Sequence, residues 1–443
     1  MKILFIIPGS GDAFYCGNCF RDYLYVKALQ HVGHEVTVMP LYLPLTDKSF
    51  NANTPLFFPA TSYYVAQKFF PKGKMPRFLE KILSFPSILR LASSLSGTTS
   101  AKGMEQMTLS MIKGDDPNFS KEAKKLINWI LQQTHPDVIH LSSSLLIGIA
   151  KAIKSQLNIP IVCSLQDEGI WIDNLEPHYA KLAWTSIHNN AHHIDRFVTT
   201  SEWYKRKIAA VADIVYPGIP THNYYAPDYP QDPTIGFFYR MNQLNGLDIL
   251  CKAFVQLKRE NRVKNLRLRI GGGYSSTDKK FLKTLRKMVK PYKEFVEWCD
   301  HYRLEEHAKF YAQISAICVP ITFEESVGLY VCEAFAAGRP AIAPDTGSFS
   351  EIVSNGGVLY HPNTPEALAE AIDGLFTDEG CYARCCEGAV RFSSERYEGE
   401  RVGGRLAVVY SLPIDTKNSS LLSVRSSRVR INSMDSTEFM SAK

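Results

Sequence analysis

A strong charge of either sign is missing from this chain of 443 residues, where 50 Lys and Arg against 44 Asp and Glu leave +6. That disfavours a nucleic-acid binder working through a broad basic field. Nor does any apolar run approach the ~20 residues that cross a membrane. The opening Met1-Lys2-Ile3-Leu4-Phe5-Ile6-Ile7-Pro8 is apolar for a few residues only, which suits a buried first strand better than a secretion signal. No Asp-x-Asp occurs, so there is no obvious clamp for a divalent metal. Cys16-Gly-Asn-Cys19 has no second pair at zinc spacing, because Cys381, Cys385 and Cys386 follow another pattern. His188 and His192 lack the glutamate of a zinc-protease helix, since Asn189 occupies that place. A nicotinamide dehydrogenase is disfavoured too, as Gly9-Ser10-Gly11 has Phe14 where the third glycine of the dinucleotide fingerprint belongs. The 10 cysteines are irregularly spaced, which predicts free thiols in a reducing cytoplasm.

What is present is the composition of a soluble globular protein, 45 % hydrophobic and 21 % charged, long enough for two domains. Ile3 to Ile7 reads as a strand buried on both faces. A glycine loop, a helix over Tyr23 to Val32 stopped by Gly33, and a strand over 35–40 complete the opening unit of a doubly wound α/β domain. Further strands are expected at 138–141, 160–165 and 196–199. An insertion of about 46–125 interrupts this domain, which spans 1–216. Five prolines over 217–233 predict a linker without regular structure. A second alternation over 234–410 has strands at 234–238, 266–270, 316–320 and 340–343, and the polar stretch 411–443 reads as a disordered tail. Within the insertion, 68–90 carries Lys68, Lys72, Lys74, Arg77, Lys81 and Arg90 among phenylalanines. It is either a solvated face or a peripheral membrane contact.

The richest string is Glu325-Ser326-Val327-Gly328-Leu329, followed by Glu333-Ala334-Phe335-Ala336-Ala337-Gly338-Arg339-Pro340. One carboxylate precedes a helix and the second lies roughly 12 Å along it. That separation suits hydroxyls at the two ends of a nucleotide sugar, with free N–H groups near Gly328 and Leu329 for the phosphates. The string resembles the donor-site motif of family 4 (group 1) retaining glycosyltransferases, and Asp345 to Val353 and Gly356 to Tyr360 continue the resemblance. It implies an α/β GT-B fold, two Rossmann-like doubly wound domains facing across a cleft. The first is implied to be the acceptor side and the second the nucleotide-sugar side.

The implied activity is transfer of a sugar from a nucleotide-diphosphate donor to a hydroxyl acceptor, with configuration retained and no metal or other cofactor. The acceptor is a glycan, a lipid-linked sugar or a small molecule. By the same resemblance Glu325 and Arg240 are catalytic, while Glu333, Gly328, Leu329, Ser326, Asn245, Gly11 and Gly17 bind the donor. Arg21, His140 and Ser142 fall on the acceptor side. Two departures stand out: Asn245 replaces the lysine expected beside Arg240, and Ser142 replaces an active-site histidine. The alternative they raise is a GT-B protein that binds nucleotide sugars without catalysis. The expected location is the cytoplasm, with possible contact at the inner membrane face and no nucleic-acid partner.

Overall fold

The computed structural model describes residues 1–9, 17–42, 55–58, 76, 103–208, 211–299 and 306–412. The basic 68–90 segment, Gly11, Cys16 and the polar tail lie outside these, apart from Pro76, Ser411 and Leu412. Two six-stranded sheets organise the chain. In the first, β1 (Lys2–Ile7), β2 (Glu35–Pro40), β3 (Val138–Leu141), β4 (Ile161–Leu165), β5 (Arg196–Thr199) and β6 (Ala212–Ile214) lie in the order β2-β1-β3-β4-β5-β6. In the second, β7 (Thr234–Phe238), β8 (Arg267–Gly271), β9 (Val296–Trp298), β10 (Ala316–Cys318), β11 (Ala341–Pro344) and β12 (Gly357–Tyr360) run β12-β11-β10-β7-β8-β9. Every strand pair is parallel, for example Lys2 beside Glu35 and Ile3 beside Val138.

A parallel sheet needs helices on both faces, so its strands are apolar throughout rather than alternating. β1 illustrates this. Leu4 and Ile6 enter one core, while Ile3, Phe5 and Ile7 enter another beneath the Gly17–His31 helix.

The strand order also fixes where a ligand can sit. In an open α/β sheet the crevice opens at the carboxyl ends of the strands where the order reverses. Here that point falls between β1 and β3 in the first domain and between β7 and β10 in the second. The residues leaving those strands are Gly9, Ser142, Tyr239-Arg240 and the segment holding Glu325.

Two expectations need correction. The linker contains a one-turn helix, Thr221–Tyr224, because Tyr224 is buried against the second domain. The last described helix, Gly399–Ser411, lies within the range assigned to the second domain but packs on the first. Val402, Leu406, Val409 and Tyr410 share a core with Ile3, Phe5, Tyr25 and Leu29.

Candidate active site

Glu325 lies in the loop between β10 and the Leu329–Ala336 helix, and is 3 % exposed. Its Oε1 accepts a long hydrogen bond from the Tyr239 hydroxyl at 3.4 Å, whereas Oε2 has no partner among the described residues. Burial, and next the nearby Asp167 carboxylate, push its pKa from 4.5 to about 8, with the Tyr239 hydroxyl pulling the other way. Within the second domain, the Ser348 N–H donates to the Glu325 carbonyl at 3.0 Å and helps to hold the loop. Gly347, at φ +60°, lets that turn approach, since a Cβ there would lie 2.6 Å from the Glu325 carbonyl oxygen and 2.7 Å from its nitrogen. Gly328 precedes the helix at φ +56°, and a Cβ on it would meet the Phe349 ring at 2.8 Å. Leu329 begins the helix and its side chain is core.

Ser326 joins the domains. Its hydroxyl donates to Asp167 Oδ2 at 2.7 Å, and its carbonyl accepts from the Ser201 hydroxyl at 2.7 Å. Beside it, the Glu351 carboxylate accepts from the N–H groups of Glu202 and Trp203, both at 3.1 Å, at the start of the Glu202–Lys207 helix. Lys207 reaches Glu324 at 2.8 Å. The first domain is therefore closed onto the loop that carries Glu325.

The first-domain side of this junction is unusually rich in unmet polar atoms. Arg21 is 1 % exposed and spends Nη2 on Asp22 at 2.8 Å and the Ser142 carbonyl at 2.9 Å. Its Nε and Nη1 have no partner among the described residues, and neither do Ser142 Oγ, Gln166 Oε1 and Asp167 Oδ1. Native proteins satisfy nearly all buried polar groups, so such a concentration marks where a ligand or water completes the structure. Burial raises Asp22 and Asp167 alike to about 6, against the pull of Arg21 on the one and the Ser326 hydroxyl on the other. Glu168 is satisfied: it accepts from Ser143, the N–H groups of Ser144 and Gln166, and the Tyr204 hydroxyl.

Several expected site residues sit differently. Arg240 is paired with Asp278, through Nη2 at 3.1 Å and Nε at 3.3 Å, and with the Ser275 hydroxyl at 3.0 Å. Its charge is thus largely offset by Asp278. The Asn245 amide donates to the Arg240 carbonyl at 2.7 Å, so it braces the loop of Arg240. Glu333 is wholly buried, accepting from Tyr224 at 2.7 Å, with His307 Nδ1 at 2.5 Å, and from Tyr311 at 3.2 Å. Gly17 opens its helix. His140 is corrected: it stacks on Phe5 at 4.3 Å inside the core, with its nitrogens held by Tyr410 at 2.6 Å and Ser164 at 2.8 Å. His140 lies within β3 and its ring is enclosed by the core, whereas Ser142 stands just past the strand end beside Arg21 and Gln166.

The sequence assigns no role to Gln166, Asp167 or Tyr239, and it offers Glu351 only as the acid of the stretch Asp345 to Val353 that continues the resemblance. A signal for two of them was there: Gln166-Asp167 leaves the end of an apolar strand, where ligands bind in such sheets.

These sheets and this cleft define the GT-B fold, two Rossmann-like domains face to face. The solved sucrose-phosphate synthase of Thermosynechococcus elongatus superposes with TM-score 0.66 at 17 % identity, covering 92 % of this chain and 98 % of that one. Anabaena HepE, solved with UDP and glucose, gives 0.63 at 16 %, covering 93 % and 100 %. Residues 232–378 match the family model described as glycosyl transferases group 1. The D-inositol 3-phosphate glycosyltransferase of Corynebacterium glutamicum (strain R) is 28 % identical over 205 residues, 45 % of this chain and 46 % of that protein. A probable sucrose-phosphate synthase of Oryza sativa subsp. japonica is 26 % identical over 174 residues, 37 % of this chain and 16 % of that protein. The chain thus spans less than half the length of these curated relatives.

Proposed function

We propose that the protein transfers a sugar from a nucleotide-diphosphate donor to a hydroxyl acceptor, retaining anomeric configuration and requiring no metal. The observation that carries this reading is Glu325, a buried carboxyl with one unpartnered oxygen beside the unmet polar atoms of the opposite domain. With its pKa near 8, Glu325 is mostly protonated at neutral pH. A neutral acid can donate a hydrogen bond to a donor-sugar hydroxyl without repelling the diphosphate next to it. The diphosphate lies against Arg240 and the N–H groups that open the Leu329–Ala336 helix. Glu333 takes the ribose by exchanging its bonds to Tyr224 and His307.

On the other side, Arg21, Ser142, Gln166 and Asp167 hold the acceptor. The acceptor oxygen attacks the anomeric carbon on the face from which the diphosphate leaves. Its proton passes to the departing phosphate oxygen, and no side chain forms a covalent bond. Closure through Ser326 and Glu351 keeps water from the donor.

Asn245 and the pairing of Arg240 with Asp278 favour a second reading, donor binding without turnover. Thermal shifts with UDP-, GDP- and ADP-sugars find the donor, since binding adds RT ln(1 + [L]/Kd) to stability. Nucleoside-diphosphate release with an acceptor panel then separates the two. Release lost in Glu325→Gln supports the enzyme, and binding without release supports the second reading. No shift with any donor contradicts both.

A further inference from the structure

The Lys279–Val289 helix presents an exposed basic stripe with no acid in it. Lys279, Lys280, Lys283, Arg286 and Lys287 are all exposed, and the chain beyond adds exposed Lys290 and Lys293. No Asp or Glu occurs from 279 to 293, so this stretch alone carries more positive charge than the +6 of the whole protein. At 100° per residue the helix cations fall within an arc of roughly 120°. Leu282, Leu285 and Val289 fill the opposite side and are buried. Among the described residues none of the six lysines is engaged in an ion pair, and Arg286 lies over the Trp298 ring at 4.3 Å. Such a face raises the electrostatic energy of the folded protein, and no ion pair among the described residues offsets its six lysines.

The stripe also begins at the cleft. Asp278, the residue before the helix, holds Arg240, and its carboxylate and Ser275 form a capping box. We propose that this helix docks the protein on an anionic lipid surface, which sets the donor-domain rim of the cleft against the membrane. The chemistry favours lipid over nucleic acid. The stripe runs along one helix for roughly 16 Å. Lysines outnumber arginine six to one, and lysine meets phosphate as a point charge where arginine would give forked recognition. Among the described residues of this stretch no exposed aromatic ring offers a base a stacking platform, because Phe281, Tyr292 and Trp298 are partly buried against the core. Phe281 and Met288 pack on the core as well, so this helix has no apolar side chain to insert into acyl chains and its contact is electrostatic.

The test is co-sedimentation of the full chain with vesicles of phosphatidylcholine alone or with about one-third phosphatidylglycerol, at low and high salt. Binding should need the anionic lipid and fall steeply with salt. Lys283→Glu/Arg286→Glu/Lys287→Glu should weaken partitioning by roughly 100-fold or more, each basic residue near such a surface being worth about a factor of five. A control of equal charge change on the first domain, Lys124→Glu/Lys151→Glu/Lys181→Glu, should bind as the parent does. Circular dichroism melts establish that both variants are folded; if the stripe triple is not, Lys279→Gln/Lys283→Gln/Lys287→Gln replaces it, with a smaller but still graded loss. No binding at low salt would overturn the proposal, as would equal loss in the control. Tighter binding to duplex DNA than to the vesicles in the same buffer would overturn it in favour of nucleic acid.

Discussion

Replacing Glu325 by Gln should make the protein more stable while it stops working. The folded-state pKa of this carboxyl is raised from 4.5 to about 8, so the folded chain binds its proton more tightly than the unfolded chain does. Stability from that proton is complete below pH 4.5 and is lost as pH rises through 8. At 1.36 kcal/mol per pH unit, the buried carboxyl costs about 3 kcal/mol at pH 7 and under about 1 kcal/mol at pH 5. Glutamine has the same shape, keeps the acceptor for Tyr239 and never ionises, so it escapes this cost. Urea unfolding of parent and variant at pH 5 and pH 7 measures the difference. The variant should gain little at the lower pH and about 3 kcal/mol at the higher, with turnover down by about 100-fold or more. A variant that is less stable at pH 7, or a gap independent of pH, would refute the assignment of a buried, proton-holding carboxyl at this position.

Other perturbations reach the same junction from different directions. Gly347→Ala drives a Cβ into the Glu325 backbone at a left-handed φ, so it should cost about 1–3 kcal/mol of stability and most of the activity, read by urea melts and turnover. Ser326→Ala removes the hydroxyl that reaches Asp167 across the cleft; it should weaken donor affinity several-fold, and small-angle scattering should register a more open unliganded protein. His140→Ala deletes a core ring and its bonds to Tyr410 and Ser164, which predicts about 3 kcal/mol of destabilisation with unchanged KM for both substrates in whatever fraction remains folded. Transfer should survive EDTA, and loss on chelation that Mn²⁺ restores would overturn metal independence.

The strands were legible because parallel sheets demand continuous apolar runs. β2, β3, β5 and β7 were expected at the residues where they occur, and β1 to within one residue. The three-residue strands Ala212–Ile214 and Val296–Trp298 were not, being edge strands too short to show a pattern. The motif from Glu325 to Pro340 was legible as a string, since helix start, glycine turn and acids recur in order. Its surroundings were not. That Arg240 is paired with Asp278 depends on a turn 38 residues away. Likewise, only tertiary packing turns His140 into the core and brings Asp167 to Ser326. The Gly399–Ser411 helix was misassigned for a similar reason: its apolar face says that it packs, and not upon which domain.

Sugar transfer with retention is tested most directly by real-time proton NMR. With the donor found by thermal shift and an acceptor that supports release, the anomeric coupling constant of the first-formed product should match that of the donor, before any mutarotation. Product of the opposite configuration, or free sugar as the only product, would contradict it.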